Sequence, residues 1–567
     1  MGLAHSVCPL IVFGNIQVIV RTFWWRSSVR TASRPFVVVF VENRLFPIAS
    51  MGSQFSLLCW IFQIKALFLY YGDQDMEFTQ EILNFLKQWY WVPVVFLYLG
   101  ILSTILIENR NPTKTLSWIL VIIFLPVIGL LIYYFFGQKF NKVRRLKREN
   151  EIQMIRLKKE WERLEPYMDE SIAYISNKIG TLARVFTFLK NERVSSPTTG
   201  NSVKLLINGE EKFPDFLQSL REARHSIHLE YYIFEVDNIG KEVLDLLEEK
   251  AREGIFVRLL VDSFGSPALV RHLSRKKDLG FEYHRFLPVT FTSMGSSNYR
   301  NHRKIAIVDG KIGYIGGINI SDRYINDPSN NNSIFWRDTS LRIEGPAVTM
   351  LQIGFWNSWN AADGTPFQLE EGYLLHRLSA VEKKGSSAVS FVESDPGSRG
   401  PFNMEAILVG LGEADRKIQL VTPYYVPSDE LSTALKIAAA SGLEVELMLP
   451  QKSDSFIVQH ASLSFIKPLL ERGVKVYFYK KGFIHAKTIN IDGKLSYIGT
   501  VNLDTRSFYI NYEIAAVVSD ITVCRQLEQQ FERDKEDCER MTLVEWKKRN
   551  VWKRGLDSVC RLLAPLL

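Results

Sequence analysis

One polar element occurs twice in the chain. Residues 301–322 read "NHRKIAIVDGKIGYIGGINISD" and residues 484–504 read "IHAKTINIDGKLSYIGTVNLD". Counting from His302 and from His485, a lysine follows at two (Lys304, Lys487), an aspartate at seven (Asp309, Asp492), a glycine at fourteen (Gly316, Gly499) and an asparagine at seventeen (Asn319, Asn502). A single copy would pass for an ordinary hairpin with Asp-Gly at its turn. Two copies, 183 residues apart and each closing a similar series of elements, call for a shared function.

Upstream of each copy the same order of strands and helices is legible. In the first half "HSIHLEYYIF" (225–234) alternates as a strand does, a helical stretch with Leu244, Leu246 and Leu247 follows, and "IFVRLLVDSFG" (255–265) and "GFEYHRF" (280–286) read as two further strands. The second half offers "RKIQLVTPYYVP" (416–427), the helix "LSTALKIAAAS", "LEVELMLPQKSDS" (443–455) and "GVKVYFY" (473–479). Apolar strand runs alternating with helices predict α/β units on a sheet covered on both faces. The expected fold class is therefore α/β, with two similar repeats packed as a pseudo-dimer.

Within each element His and Lys stand two apart on a strand, so they point to one face and converge on one ligand. Asp309 and Asp492 precede a glycine where the strand turns, which suits a turn residue as well as a functional one. Gly316, Gly317 and Gly499 allow close approach of the returning strand, Thr500 stands where the first copy has Gly317, and Asn319 and Asn502 add an amide donor. Two imidazoles, two ammonium groups and two amides describe a phosphodiester pocket. Phosphoryl transfer there needs a nucleophile, a proton donor for the leaving alkoxide and fixed cations on the non-bridging oxygens. Cationic side chains stand where metal-dependent phosphodiesterases carry carboxylate clusters, so neither a metal nor a cofactor is expected.

The rest of the composition bears on location. Lys plus Arg number 69 against 61 Asp plus Glu, which suits an anionic partner without choosing between phospholipid and nucleic acid. The five cysteines are scattered, with no disulfide framework and no zinc spacing. Twenty uncharged residues lie between Lys87 and Glu108, and 24 more, "TLSWILVIIFLPVIGLLIYYFFGQ", between Lys114 and Lys139. These predict a two-helix transmembrane hairpin, kinked at Pro126 and Gly129. The run "KFNKVRRLKR" that follows puts residue 139 onward in the cytoplasm by the positive-inside rule. Residues 1–75 mix apolar runs with Arg21, Arg26, Arg30 and Arg34, and are readable as a weak extra span, a targeting piece or a stretch upstream of a true start at Met76, the last being favoured.

The doubled HxKxxxxD element with its trailing Gly and Asn resembles the phospholipase D superfamily over about residues 200–520. Finer features, "HLEYYIF", "WRDTSLRIEGPAV", "TPYYVP", "GFIHAKT", the "NYE" at 511–513 and "NPTKTLSWILVIIFLPVIGLLIYYFFG", resemble bacterial cardiolipin synthases from about residue 85 onward. The resemblance implies His302 as nucleophile and His485 as acid and base. It implies Lys304, Lys487, Asn319 and Asn502 as phosphate holders, with Gly317 and Thr500 beside them. Asp309 and Asp492, counted with the catalytic motif, would stand behind the site in a structural role, and Glu230, Asp338 and Glu513 resemble acids that orient the histidines.

The implied activity is transfer of phosphatidyl from one phosphatidylglycerol to another, giving cardiolipin and glycerol; the alternative is hydrolysis to phosphatidic acid. Phosphatidylglycerol and anionic membrane lipids are the expected partners. Nucleic acid is not, since a nuclease has no need of a membrane hairpin. The expected division is 1–75 as an extension, 88–138 as the hairpin, 139–199 as a basic helical linker, 200–375 and 401–540 as the repeats, 376–400 as a linker between them and 541–567 as a tail. The first repeat carries ten extra residues before its histidine, in "LPVTFTSMGSSNYR" (287–300), expected as a lid that governs the acceptor.

Overall fold

The computed structural model describes short strands between residues 6 and 48, helical stretches between 84 and 133, and residues 161–276, 279–286, 299–327, 334–362 and 373–564. The acceptor loop 287–298, the basic run 139–148, the candidate start at Met76 and most of the apolar run 45–64 lie outside the described residues. The chain divides into two compact units, Met1–Leu120 and Val121–Leu567.

In the first unit, five strands between Ser6 and Ile48 form one antiparallel sheet. Helices Trp91–Ile107 (17 residues) and Pro112–Phe124 (13 residues), the latter running on into the second unit, stand where the two spans are expected. At 1.5 Å per residue they are about 26 and about 20 Å long, short of a hydrocarbon core of roughly 30 Å. No helix among the described residues is long and apolar enough to cross a membrane. The second helix ends two residues before Pro126, which lacks an amide donor and disfavours helical geometry in the residue before it.

The second unit is built on one sheet of fifteen strands. The first repeat supplies β1 (Thr198–Ile207), β2 (Ser226–Tyr231), β3 (Phe256–Asp262), β4 (Glu282–Phe286), β5 (Lys304–Val308), β6 (Ile312–Gly316) and β7 (Thr339–Glu344). The second supplies β8 (Ser387–Ser394), β9 (Lys417–Val421), β10 (Glu444–Pro450), β11 (Lys475–Tyr479), β12 (Thr488–Ile491), β13 (Leu495–Gly499) and β14 (Glu513–Ser519), and β15 (Cys538–Met541) closes its edge. Across the sheet the order is 15-11-10-9-12-13-14-8-1-7-6-5-2-3-4, so each strand of the first repeat matches the strand seven later. The pseudo-two-fold axis passes between β1 and β8, which pair antiparallel.

The inner strands, β5 and β14 among them, are buried on both faces, while the edge strands β4 and β15 are largely open. Ala306 and Val308 face a core under helices Asn208–Glu222 and Asn238–Arg252, while Ile305 and Ile307 face the opposite one. That opposite core is continuous across the repeats, joining Leu341 and Ile343 to Ile498, Ile514 and Val518 under helices Ala347–Ala361 and Ile521–Glu536.

Three expected boundaries are corrected. Residues 376–400 are no linker, because they contain β8, a central strand. Residues 161–191 are not merely a basic connector, since Val185, Phe186 and Leu189 join the core of the second repeat. Residues 541–567 are not a plain tail, for helices Leu543–Lys547 and Val551–Arg561 lie there.

Candidate active site

His302 and His485 sit on extended segments leading into β5 and β12, the matching strands of the repeats. Each segment pairs with the other repeat. The His302 N–H donates to the Tyr512 carbonyl at 2.9 Å, and the His485 N–H to the Arg337 carbonyl at 2.7 Å. Residues Phe335–Arg337 pair in parallel with Gly482–Ile484, and Asn301 bridges in parallel to Tyr512.

That exchange carries the supporting acids across the axis. Glu513, which opens β14, reaches Nδ1 of His302 at 3.0 Å, and Asp338, just before β7, reaches Nδ1 of His485 at 2.7 Å. Both carboxylates are fully buried. With Nδ1 taken up, Nε2 of each ring is the nitrogen left to react. Lys304 and Lys487 each donate to the carbonyl of their own histidine, at 2.6 and 2.5 Å.

Electrostatics tie these six groups into one site. Burial pushes His485 down to about 3, with Lys487 adding to the effect and Asp338 opposing it. Burial lowers His302 too, with Glu513 opposing. Lys304 is lowered to about 7 and Lys487 to about 8, each chiefly by burial. Burial would raise the Asp338 carboxyl, but His485 and Lys487 outweigh it; for Glu513 the same holds through His302 and Lys304. Two ionised acids thus stand beneath a cluster of reluctant cations, and an anion arriving there supplies the charge that the cations lack.

The remaining expected residues sort by position. Gly317 is required, because a Cβ there would stand 2.2 Å from Asp338 Oδ1. Thr500 occupies the equivalent place and donates its hydroxyl to Glu513 at 2.5 Å. Asn319 is committed to the fold, accepting from Ile233 N–H at 3.1 Å and donating to the Tyr324 hydroxyl at 2.7 Å. The Asn502 amide oxygen is buried and meets no donor among the described residues, which makes it the less committed of the two.

Two expectations need correction. Asp309 and Asp492 lie at the far ends of β5 and β12, a strand's length from the lysines. Asp309 accepts the N–H groups of Arg224, His225 and Ser226 at 3.0, 2.7 and 2.9 Å, and Asp492 those of Asp415, Arg416 and Lys417, each at 2.8 Å. Both have positive φ (56° and 57°), tolerable for aspartate at a tight turn. They fasten the start of β2 and β9 and touch no histidine ring. Glu230 likewise orients no catalytic histidine. Fully buried on β2 and pushed up by burial to about 7, it accepts from the Asn301 side-chain amide at 2.6 Å. Val421 stands at its place in the second repeat.

Sequence patterns gave no sign of Asp262, which accepts the Asn301 N–H at 3.0 Å and so helps to fix the residue before His302. Nor did they show the aromatic walls: Tyr232 edge-on to His302 at 4.8 Å, and Trp336 and Phe483 at 5.5 and 5.8 Å from His485. None of these repeats between the halves, so duplication gave no signal for them. Among the described residues no group of three His, Cys, Asp or Glu is placed to hold a metal ion.

Comparison with known proteins agrees with this geometry. Residues 216–344 and 407–535 match the family described as cardiolipin synthase, PLD-like domain, and residues 96–138 match the phospholipase D–nuclease N-terminal family. The cardiolipin synthase of Halalkalibacterium halodurans is 36% identical over 482 residues, which cover 84% of this chain and 93% of the relative. Cardiolipin synthase 1 of Bacillus anthracis is 38% identical over 483 residues, covering 82% and 92%. The chain belongs to the cardiolipin synthase family of the phospholipase D superfamily. The major cardiolipin synthase ClsA of Bacillus subtilis is 35% identical over 483 residues, covering 83% of this chain and 98% of that one. Among solved structures, phosphatidylserine synthase of Haemophilus influenzae Rd KW20 aligns with a TM-score of 0.53 at 14% identity, over 68% of this chain and all of that one, a likeness of fold. In this family member the paired PLD-like domains are the two repeats of the fifteen-stranded sheet.

Proposed function

We propose that the chain is a membrane-bound cardiolipin synthase that transfers phosphatidyl between two phosphatidylglycerol molecules. The observation that carries the reading is the crossed pair of histidine–carboxylate contacts, one histidine and one acid from each repeat, in a chain of this family. The neutral Nε2 of His302 attacks phosphorus, forming a P–N bond as the P–O bond to glycerol breaks. The departing glycerol oxygen takes its proton from Nε2 of His485, whose imidazolium Asp338 stabilises. The hydroxyl of a second phosphatidylglycerol then returns a proton to His485 as its oxygen attacks phosphorus, and the P–N bond breaks to release cardiolipin.

Lys304 and Lys487 are suited to hold the non-bridging oxygens. The anionic headgroup raises the proton affinity of the surrounding imidazoles, so substrate binding itself prepares the acid. The apolar runs between Lys87 and Lys139, and the basic run after them, support a membrane location with the repeats on the cytoplasmic side. Detergent-purified protein given labelled phosphatidylglycerol is expected to yield cardiolipin and glycerol. Phosphatidic acid as the main product would change the acceptor to water, and no turnover would overturn the proposal.

A further inference from the structure

The helix Val551–Arg561 packs on the helix Phe456–Ser464 through one face only. On that face Cys560 joins Val426 and Ala461 in a small core, and Asp557 meets His460 Nδ1 at 2.7 Å and Arg549 at 2.8 Å. The opposite face carries Val551, Trp552, Leu556 and Val559, and the turn after the helix adds Leu562 and Leu563, all exposed; Trp552 is 83%, Val559 61% and Leu562 78% accessible. At about 100° per residue they fill one arc of roughly 140°. Gly555 lies within that arc, and no atom stands within 4 Å of where its Cβ would be.

What borders the arc is basic. Lys553 and Arg554 flank its two sides, with Lys547 and Lys548 just upstream, all four exposed. The acids of this stretch are engaged, Glu545 in the cap with Thr542 and Asp557 in its buried pairs. An apolar stripe holding a tryptophan between lysine and arginine borders has the chemistry of a helix lying in a bilayer interface.

Its place in the fold fits that role. The C-terminal end of β9 adjoins the start of β12, beside Lys487, since Val421 pairs with Thr488; β10 runs parallel to β9 and ends at the same edge. The loop leaving β10 carries Asp454, whose charge acts on Lys487 and which accepts from the Tyr424 hydroxyl at 2.8 Å, and then enters the helix on which Val551–Arg561 packs. That helix opens with Phe456 and Ile457, both exposed.

We propose that the helix Val551–Arg561 is a docking element that lies on an anionic bilayer at the catalytic edge of the second repeat. Its apolar arc enters the boundary of headgroups and acyl chains, with Lys553 and Arg554 among the headgroups. The use of this edge rests on the lipid-transfer reading above; the docking itself does not.

The test uses the full chain with a polarity-sensitive dye at Val559→Cys, after Cys8, Cys59 and Cys538 are changed to serine; Cys524 and Cys560 are buried and stay. In vesicles of phosphatidylcholine with phosphatidylglycerol the dye is expected to shift to the blue and escape aqueous iodide. In phosphatidylcholine alone it should do so much less. Lys553→Gln and Arg554→Gln should each weaken the shift about fivefold, and Gly555→Leu should strengthen it. A dye quenched equally in every vesicle, or shifted equally by both lipids, overturns the proposal. So does a shift that needs no lipid and grows with protein concentration, which marks a second copy on this face.

In a second arm, Trp552→Asp with Leu562→Asp should raise the vesicle concentration for half-maximal turnover at least about tenfold. Turnover of short-chain phosphatidylglycerol dissolved as monomers should be unchanged. If the unaltered chain turns over neither form, the lipid-transfer reading fails while the dye still reports on docking.

Discussion

The two repeats hold their histidines alike and back them differently. In the first, Asp338 faces the bare Cα of Gly317 and reaches His485; in the second, the longer Glu513 takes a hydroxyl from Thr500 and reaches His302. Behind the strands the contrast widens, with Glu230 and His228 in the first repeat where the second has Val421 and Gln419. Shared features are those that set distance: the strand register, the lysine on its own histidine's carbonyl, and the aspartate that gathers three backbone amides. The features that differ are those that tune charge. A symmetric scaffold with unlike surroundings suits two identical imidazoles to the unlike tasks proposed for them, one attacking and one moving protons.

The sharpest way to break this comparison is to remove the imidazoles. His302→Ala and His485→Ala are each expected to lower turnover by about a thousandfold or more while leaving the sheet folded, because nucleophile and acid work as a unit. Peptide mapping of His485→Ala unfolded at mildly alkaline pH, where a P–N bond to imidazole survives, should find the phosphatidyl group on His302. Finding it on His485 in the His302→Ala protein instead would exchange the two roles.

Next in size are the crossed acids. Asp338→Asn and Glu513→Gln should each cost roughly a hundredfold to ten-thousandfold in kcat, as a histidine loses the group that fixes its tautomer. Gly317→Ala should match Asp338→Asn, since its Cβ would displace that carboxylate. Thr500→Gly removes only one donor to Glu513 and should cost about tenfold or less. Equal losses at Gly317 and Thr500 would show that the repeats are tuned alike after all.

The lysines make a pH-dependent case. Lys304 at about 7 and Lys487 at about 8 lie below the ordinary lysine range, so their charges are present at lower pH and are lost as pH rises through that window. With monomeric substrate, kcat/KM should fall on the alkaline side between about 7 and 8. Lys304→Arg should move that limb upward, and either alanine variant should lose about a hundredfold to a thousandfold. An alkaline limb unmoved by Lys304→Arg would assign it to another group.

The smallest effect on chemistry belongs to the aspartates at the strand turns. Asp309→Ala and Asp492→Ala each leave three amides without a carboxylate and should cost about 2–4 kcal/mol of stability, read by thermal unfolding. Activity per folded molecule should stay near normal. A loss of kcat without a loss of stability would return them to the catalytic set.

Much of the fold and of the site is legible in one dimension. The duplicated spacing locates both histidines and both lysines, because a strand's period of two forces a shared face. Strand and helix order follows from apolar periodicity, and β2 to β4 and β9 to β11 lie where the patterns put them. Glu230 is misleading because a buried acid on a core strand looks, along the chain, like one aimed at a site. The interval 376–400 resembles a linker because β8 belongs to no duplicated motif. In the second apolar run the helix stops two residues before Pro126, since hydropathy counts residues while a proline limits the helix.

By itself, then, the chain's sequence determined that there are two α/β repeats, that each offers an imidazole and an ammonium group two residues apart, and that the chemistry is phosphoryl transfer. It could do so because side-chain direction along a strand is a local property. Only the tertiary structure decided which acid serves which histidine, which backbone amides the motif aspartates gather, and that the last helix leaves an apolar arc uncovered. The crossed pairs join residues 147 and 211 apart, created when the repeats meet back to back at β1 and β8, and no local pattern encodes them.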